Sequence, residues 1–257
     1  MAASTFRHWA RKSDHPLAAA VRRMRSAGRG FTLPAPRLLV RPYLWLFLAL
    51  RSAVFFVRRV LVAEPLFKAY CTQLGKGVTT GIYVPWIQGS GELVVGDRAH
   101  ISGKLGVNFA ASFVARPRLE IGEHSDLGHD TRFVVGRAIT LGRHVQVAGG
   151  TTFRDSGGHP VDPARRMAGG APDADDVRPI VVHDNVWIGS NVLVMPGAEI
   201  GEGAIVSAQS VVSGTVAPYT IVAGNPARRI GTLPPPPGRE HLAPQARAAA
   251  PTPTAAA

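Results

Sequence analysis

The chain has 257 residues, room for one domain with extensions. It carries 29 Lys and Arg against 17 Asp and Glu, a formal net charge of +12, and a single cysteine, Cys71, which excludes an intramolecular disulfide and a cysteine-based metal cluster. The charge is uneven: residues 1–70 hold 13 of the basic residues and only Asp14 and Glu64, a net +11, so the rest is nearly neutral and a basic catalytic domain is not implied.

Residues 1–41 read as a basic arm, flexible or helical. No short apolar segment with a small-residue cleavage site follows the start, so a cleavable signal peptide is not expected. From Pro42 to Val62 the chain is apolar apart from Arg51, Arg58 and Arg59. At 100° per residue these three and Arg41 share an arc of about 100°, and Pro42 suits a first helical turn. A central arginine in hydrocarbon costs at least ~2.5 kcal/mol, so three on one face argue against a simple span. Residues 42–70 are therefore expected to form an amphipathic helix on an anionic membrane surface, with Trp45, Leu46, Phe47 and Phe56 toward the acyl chains. Two rivals remain: a nucleic-acid-binding arm, disfavoured by the large apolar stretch so that no nucleic acid is expected as partner, and a helix packed across the open end of the domain that follows.

Residues 71–94 read as a lead-in to a repeat. Between Val182 and Val212 an aliphatic residue returns every sixth position: Val182, Ile188, Val194, Ile200, Val206 and Val212. Neither a helix nor a lone strand has that period. A triangular coil does, with three short strands per turn and one inward aliphatic side chain on each, and such coils bury their apolar face only by stacking. The spacing recurs upstream in Val95, Ile101, Val107 and Phe113, in Ile121, Leu127 and Phe133, and in Leu141, Val147 and Phe153. Five coils are expected between about Val95 and Val212. A β-sandwich would alternate at period two, which these segments do not. Phe153 to Val182 is too long for one coil, so the Gly- and Pro-rich segment 154–179 reads as a loop thrown out of the solenoid, the kind of place where function resides. From Thr232 the chain is mostly Pro and Ala, and residues 232–257 read as a disordered tail.

Asp184 to Ile230, DNVWIGSNVLVMPGAEIGEGAIVSAQSVVSGTVAPYTIVAGNPARRI, resembles the C-terminal coils of hexapeptide-repeat acyltransferases, and Gly157-Gly158-His159-Pro160-Val161 resembles their loop signature. The nearest type is the sugar and exopolysaccharide O-acetyltransferases, which include the maltose and galactoside enzymes. The resemblance covers about Val95 to Ile230. It implies an all-β solenoid, a left-handed parallel β-helix; handedness comes from the resemblance, since spacing gives only a triangular coil. It also implies a homotrimer with sites between subunits, acetyl-CoA as acyl donor, no metal, and a sugar or glycan acceptor.

By position, the resemblance makes His159 the catalytic histidine. It places Asp130 where relatives hold an acceptor-contacting Asn, and assigns Trp187, Ser190, Ala208 and Arg228 to the donor. Where relatives often have Thr-Lys after the last full coil, this chain has Ser213-Gly214, so one phosphate contact is expected to be missing. The implied chemistry is general-base catalysis: histidine takes the hydroxyl proton during attack on the thioester, an effect worth about 10²–10⁴-fold. The basic, apolar N-terminal extension points to a membrane-linked glycan or exopolysaccharide precursor as acceptor, and to a cytoplasmic enzyme peripherally attached to the inner face of the cell membrane. Alternatives are a soluble small-sugar O-acetyltransferase or an amino-sugar N-acetyltransferase. More remote are a non-catalytic scaffold and a γ-class carbonic anhydrase-like lyase, for which His124 and His129 have zinc-ligand spacing but lack a third histidine on the 18-residue lattice.

Overall fold

The computed structural model describes residues 8–110 and 113–243. The chain divides into two units, residues 1–52 and 53–257.

In the first unit, α1 (Pro16–Gly30) starts at an N-cap, His15, whose ring accepts from the Leu17 N–H, with Pro16 in the first turn where its missing donor costs nothing. The Arg22 guanidinium donates to the Ala10 and Ser13 carbonyls, folding the preceding turn back onto the helix. α2 (Arg37–Arg58) crosses the boundary between the units and buries none of its residues. It begins five residues before the expected start, so Pro42 lies inside the helix rather than in its first turn. Trp45, Leu46, Phe47 and Phe56 are all more than half exposed. Among the described residues no helix is long and apolar enough to cross a membrane.

The second unit continues through a π-helical turn (Arg59–Ala63) into α3 (Glu64–Tyr70). Phe67 is fully buried and belongs to the solenoid's own core cluster, so this short helix, not 42–62, supplies a plug at the N-terminal end. The solenoid then runs as parallel strands on three faces, with seven, eight and six strands respectively. The coils comprise residues 73–88, 92–109, 118–135, 138–154, 180–194 and 199–212, followed by a partial turn at 215–223. Arg228–Thr232 closes the second face by pairing antiparallel with Thr220–Ala223.

The period-six residues are the core. On the first face Val95, Ile121, Leu141, Val182, Ile200 and Val216 stack in register. On the second, Ile101, Leu127, Val147, Ile188, Val206 and Val222 do the same. The third column is Val107, Phe133, Phe153, Val194 and Val212, with the Phe133 and Phe153 rings stacked at 4.9 Å and 7°. The coils expected between Val95 and Val212 are present, and one more precedes them. Residues 73–88 form a first coil, with Leu74, Thr80 and Ile87 in register with Val95, Ile101 and Val107. A threonine at a core position and a 41 % exposed Leu74 disguise it in the sequence.

Two further expectations are corrected, and the basic arm takes the helical of its two readings. Phe113 is not an inward strand residue: the strand ends at Phe109, and Phe113 belongs to a second excursion, bringing its ring against Gly136. Of the tail, residues 244–257 lie outside those described, but 232–243 are ordered against the last coil. The Leu233 N–H bonds the Tyr219 carbonyl, and Arg239 reaches Glu202. In the basic arm, residues 1–7 lie outside those described and α1 is helical.

Core position predicts the energetics. Phe153→Ala, at a fully buried stacked ring, should cost about 3–5 kcal/mol of unfolding free energy. Leu74→Ala in the exposed first coil should cost less than about half of that. Denaturant titration of the two variants checks the order, and a reversed order would mean that the first coil, not the middle, limits stability.

Candidate active site

At the corner between the second and third faces the chain turns through one residue of positive φ per coil: Asp130 (60°), Gly150 (78°), Asn191 (56°), Gln209 (60°) and Gly224 (97°). Backbone bonds tie this column together, Gly150 N–H to the His129 carbonyl, Asn191 N–H to Gly149 and Gln209 N–H to Ser190. Glycine at 150 takes the left-handed turn without strain, and a Cβ there would displace the Asn191 side-chain oxygen. Ser190 and Ala208 occupy the same edge in successive coils. Both are exposed, and among the described residues neither N–H donates to a backbone or side-chain acceptor. By register Ser190 and Ala208 line up with His129 and Gly149, one residue before the column that carries Asp130, and with neighbouring coils about 4.8 Å apart this corner spans roughly 15 Å from Asp130 to Ala208.

Trp187 stands outward on the second face, 56 % exposed, three residues before Ser190. Arg228 opens the closing strand opposite Ala223, and with Arg229 and Ser213 lines a pocket of about 480 Å³ at the C-terminal end. Arg229 was missed by sequence reasoning, which had only the family position of its neighbour. Five of the six expected site residues, Asp130, Trp187, Ser190, Ala208 and Arg228, thus lie along this edge or on the adjoining second face.

His159 does not. It projects from the loop that leaves the third face at its other end, toward the first face. The strand Thr131–Val135 that separates the two corners is five residues, about 16 Å, long. The root of the loop is rigid. Asp155 is fully buried, and its carboxylate accepts from the Gly136, Arg137 and Ala138 N–H groups at 2.6, 2.7 and 2.9 Å, while its carbonyl accepts from Arg178 N–H and closes the neck. Burial pushes the Asp155 carboxyl up from the usual range, against the pull of those donors. Two arginines then clamp the loop on either side of His159. Arg154 donates to the Ser156 and Gly157 carbonyls, and Arg166, in α4 (Pro163–Met167), donates to those of Pro160 and Val161. The His159 ring is exposed and makes no hydrogen bond to another described residue. A lone Asp in a polar loop carries no sequence signal, so Asp155 could not have been singled out.

Asp130 lines a groove of about 520 Å³ on the outer side of the third face, with Tyr83, Trp86, Lys104 and Arg132 among its walls, and His159 is not one of them. His129 packs edge-on against Tyr83 at 5.3 Å and brings its Nε2 to 3.5 Å from an Asp130 oxygen. Tyr83 and Trp86 belong to the coil read as a lead-in, which is why the sequence did not connect them with Asp130. The His124 and His129 rings sit at different corners. His124 stacks on His144 at 4.7 Å and accepts from Arg98, so the pair does not converge on one point within the chain. Among the described residues no cluster of three or more metal-ligating side chains is present.

Residues 179–214 match the family described as bacterial transferase hexapeptide (six repeats). A chloramphenicol acetyltransferase of Klebsiella aerogenes is 52% identical over 50 residues, which are 20% of this chain and 24% of that one. A galactoside O-acetyltransferase of Escherichia coli K12 is 32% identical over 112 residues, 44% of this chain and 53% of that one. Among solved structures, a point mutant of AntD, an N-acyltransferase from Bacillus cereus in complex with dTDP and coenzyme A, matches with a TM-score of 0.50 at 22% identity. It covers 66% of this chain and 88% of that one, a likeness of fold. The chain spans about half or less of the length of the curated relatives it matches.

Cys71 is the only thiol, and burial pushes its pKa up to about 11. At neutral pH only about one molecule in 10⁴ carries the thiolate nucleophile. Cys71→Ser should leave turnover unchanged and iodoacetamide at pH 7 should not inhibit, which an alkylation time course reads directly. Rapid inactivation would bring the thiol into the chemistry.

Proposed function

We propose that this chain, whose residues 179–214 match the hexapeptide-repeat transferases, is a member of that family and transfers an acetyl group from acetyl-CoA to a sugar hydroxyl. The observation that supports this most is the edge itself. Ser190 and Ala208 present N–H groups without an internal acceptor at the corner that also carries Asp130, beside an exposed Trp187 and two terminal arginines. That arrangement suits an extended thioester donor: amide oxygens of the donor arm along the free N–H groups, its phosphates at Arg228 and Arg229. In this reading the coil winds left-handed, as the resemblance implies.

The step balances without a covalent enzyme intermediate. The His159 imidazole takes the proton of the attacking hydroxyl as the oxygen adds to the thioester carbon. The resulting oxyanion is held by the Ser190 N–H, a contact worth about 3–4 kcal/mol. Collapse expels the CoA thiolate, which receives the proton from the imidazolium. Within one chain His159 and Asp130 stand at opposite ends of the third face, so the site is completed by a second copy. A trimer with its edges apposed brings the loop of one subunit to the edge of the next.

The acceptor in this reading is a membrane-linked glycan or exopolysaccharide precursor, and the enzyme sits on the inner face of the cell membrane. Support comes from the exposed apolar side of α2 and the net +11 of residues 1–70, each basic residue near an anionic surface contributing roughly 1 kcal/mol.

Replacing His159 by Ala should lower kcat by about 10²–10⁴ with CoA affinity unchanged. Mixed assemblies of Asp130→Ala and His159→Ala chains should regain part of the activity that each lacks. The assay is acetyl-CoA turnover against nucleotide sugars, free sugars, polyprenyl-linked oligosaccharides and chloramphenicol. Turnover of the His159 variant within a few-fold of the original would assign the base elsewhere.

Anionic vesicles test the membrane reading. Full-length protein should pellet with them, less so as salt rises, whereas a variant lacking residues 1–52 should stay in solution and still bind CoA. Equal pelleting of both would sink the anchoring idea.

A further inference from the structure

The groove that holds Asp130 is not furnished for a neutral acceptor. Its walls include Arg58, Lys104 and Arg132 against Asp130 alone, and none of the three cations pairs with a carboxylate among the described residues. Asp130 itself faces His129. Lys104 is held over the Tyr83 ring at 5.6 Å, so its ammonium is placed rather than free to wander. Trp86 is 69 % exposed on an outward strand position, a large flat surface that a monomeric fold does not ordinarily leave to water.

Trp86 and Arg132 are in the same row. Trp86 pairs with Gly106 and Gly106 with Arg132, so the indole and the guanidinium are separated by a residue without a side chain. The strands that carry Trp86 and Arg132 are about 9–10 Å apart, and over Gly106 the only side chain within reach is that of Arg132, whose Cγ lies 3.6 Å from where a Gly106 Cβ would stand. Asn108 and Gln88 sit one register step along, in the same groove, and offer hydrogen bonds to ring hydroxyls.

We infer that this groove binds an acidic sugar: a pyranose ring stacked on Trp86, with a phosphate or carboxylate substituent on Lys104 and Arg132 and a hydroxyl turned to Asp130. The inference rests on Asp130 marking the acceptor side in the function proposed above. It narrows that acceptor from sugars in general to sugars carrying a negative charge. Leu105 pairs with Thr131, so Lys104 and Asp130 stand side by side at the corner with Arg132 two residues on, and the two cations outnumber the one carboxylate there, leaving a net positive charge for the substituent.

Direct binding to the full-length protein without acetyl-CoA tests this independently of transfer. Calorimetric titrations with glucose, glucose 1-phosphate, glucuronic acid and inorganic phosphate supply the four arms. Glucose 1-phosphate or glucuronic acid should bind about tenfold more tightly than glucose or inorganic phosphate. The anion that gains more identifies the substituent. In a Lys104→Gln, Arg132→Gln double variant the advantage of the charged sugar should vanish while glucose binding and CoA affinity stay as they were. In Trp86→Ala every sugar should weaken together and inorganic phosphate should not change. Equal binding of glucose and both charged sugars overturns the inference, as does a preference that survives in the double variant, or inorganic phosphate binding as tightly as glucose 1-phosphate. A charged-sugar preference without acetyl transfer would leave the groove standing and defeat the proposed reaction instead.

Discussion

The stacking of this solenoid depends on one backbone constraint: at its first corner, and at the second from the third coil on, the chain turns sharply through a residue in the left-handed region. Arg98, His124, His144 and Asn185 do so at one corner, Asp130, Asn191 and Gln209 at the next, with glycines completing both columns. For a non-glycine residue that conformation is unfavourable by itself, and at Arg98, His124, His144, Asn185, Asn191 and Gln209 the neighbouring coil accepts the N–H of the turn residue. At the first corner the bonds run unbroken from Lys76 through Asp97, Glu123, Arg143 and Asp184 to Glu202. Corners therefore stack, and stacked corners put the inward aliphatic side chains in register. The core is a consequence of the turns as much as the turns are of the core.

The same constraint arranges chemistry. A corner residue's own N–H, or that of the residue before it, can point out of the prism, where no strand competes for it. Ser190 and Ala208 are such residues, and their alignment follows from the ladder rather than from any special local sequence. Where two glycines would suffice for turning, approach becomes the deciding factor: a Cβ on Gly189 would lie 2.5 Å from the Ala208 amide nitrogen. Small residues at this edge keep successive coils close enough for a ligand to run along them. The loop that carries His159 follows the opposite strategy. It escapes the ladder altogether and must be fixed by its own devices, a buried carboxylate at the root and arginine clamps on either side of the histidine.

The regular part of the fold was legible because its physics is periodic. Residues such as Ile188, Val194 and Ile200 repeat a single requirement, and repetition survives the loss of any one residue. What was not legible lies where the repeat is interrupted. Thr80 replaces an aliphatic residue and hid the first coil, and with it the Tyr83 and Trp86 side of the groove. Phe113 kept the six-residue spacing by coincidence, in an excursion that period alone cannot distinguish from a strand. Site residues carried by motif, His159 among them, could be named but not placed. Which corner each one occupies depends on how strands are counted around the prism, and that count placed Asp130 and His159 apart.

The interruptions and the candidate function coincide for a physical reason. A coil that obeys the repeat spends its outward positions on small or solvated side chains, because each must pack beside the equivalent residue of the coils above and below. The first coil has a neighbour on one side only and is completed by Phe67 of α3 on the other. That relaxes the demand on its outward positions and leaves space for a residue as large as Trp86. Opposite it the next coil supplies Gly106, which opens the floor, and the coil beyond supplies Arg132. Charge divides by face and not by coil: Glu92 shares a coil with Lys104, and Arg118 and Glu120 share one with Arg132, yet Arg118 pairs with both glutamates on the first face whereas Lys104 and Arg132, in the groove, have no carboxylate partner among the described residues.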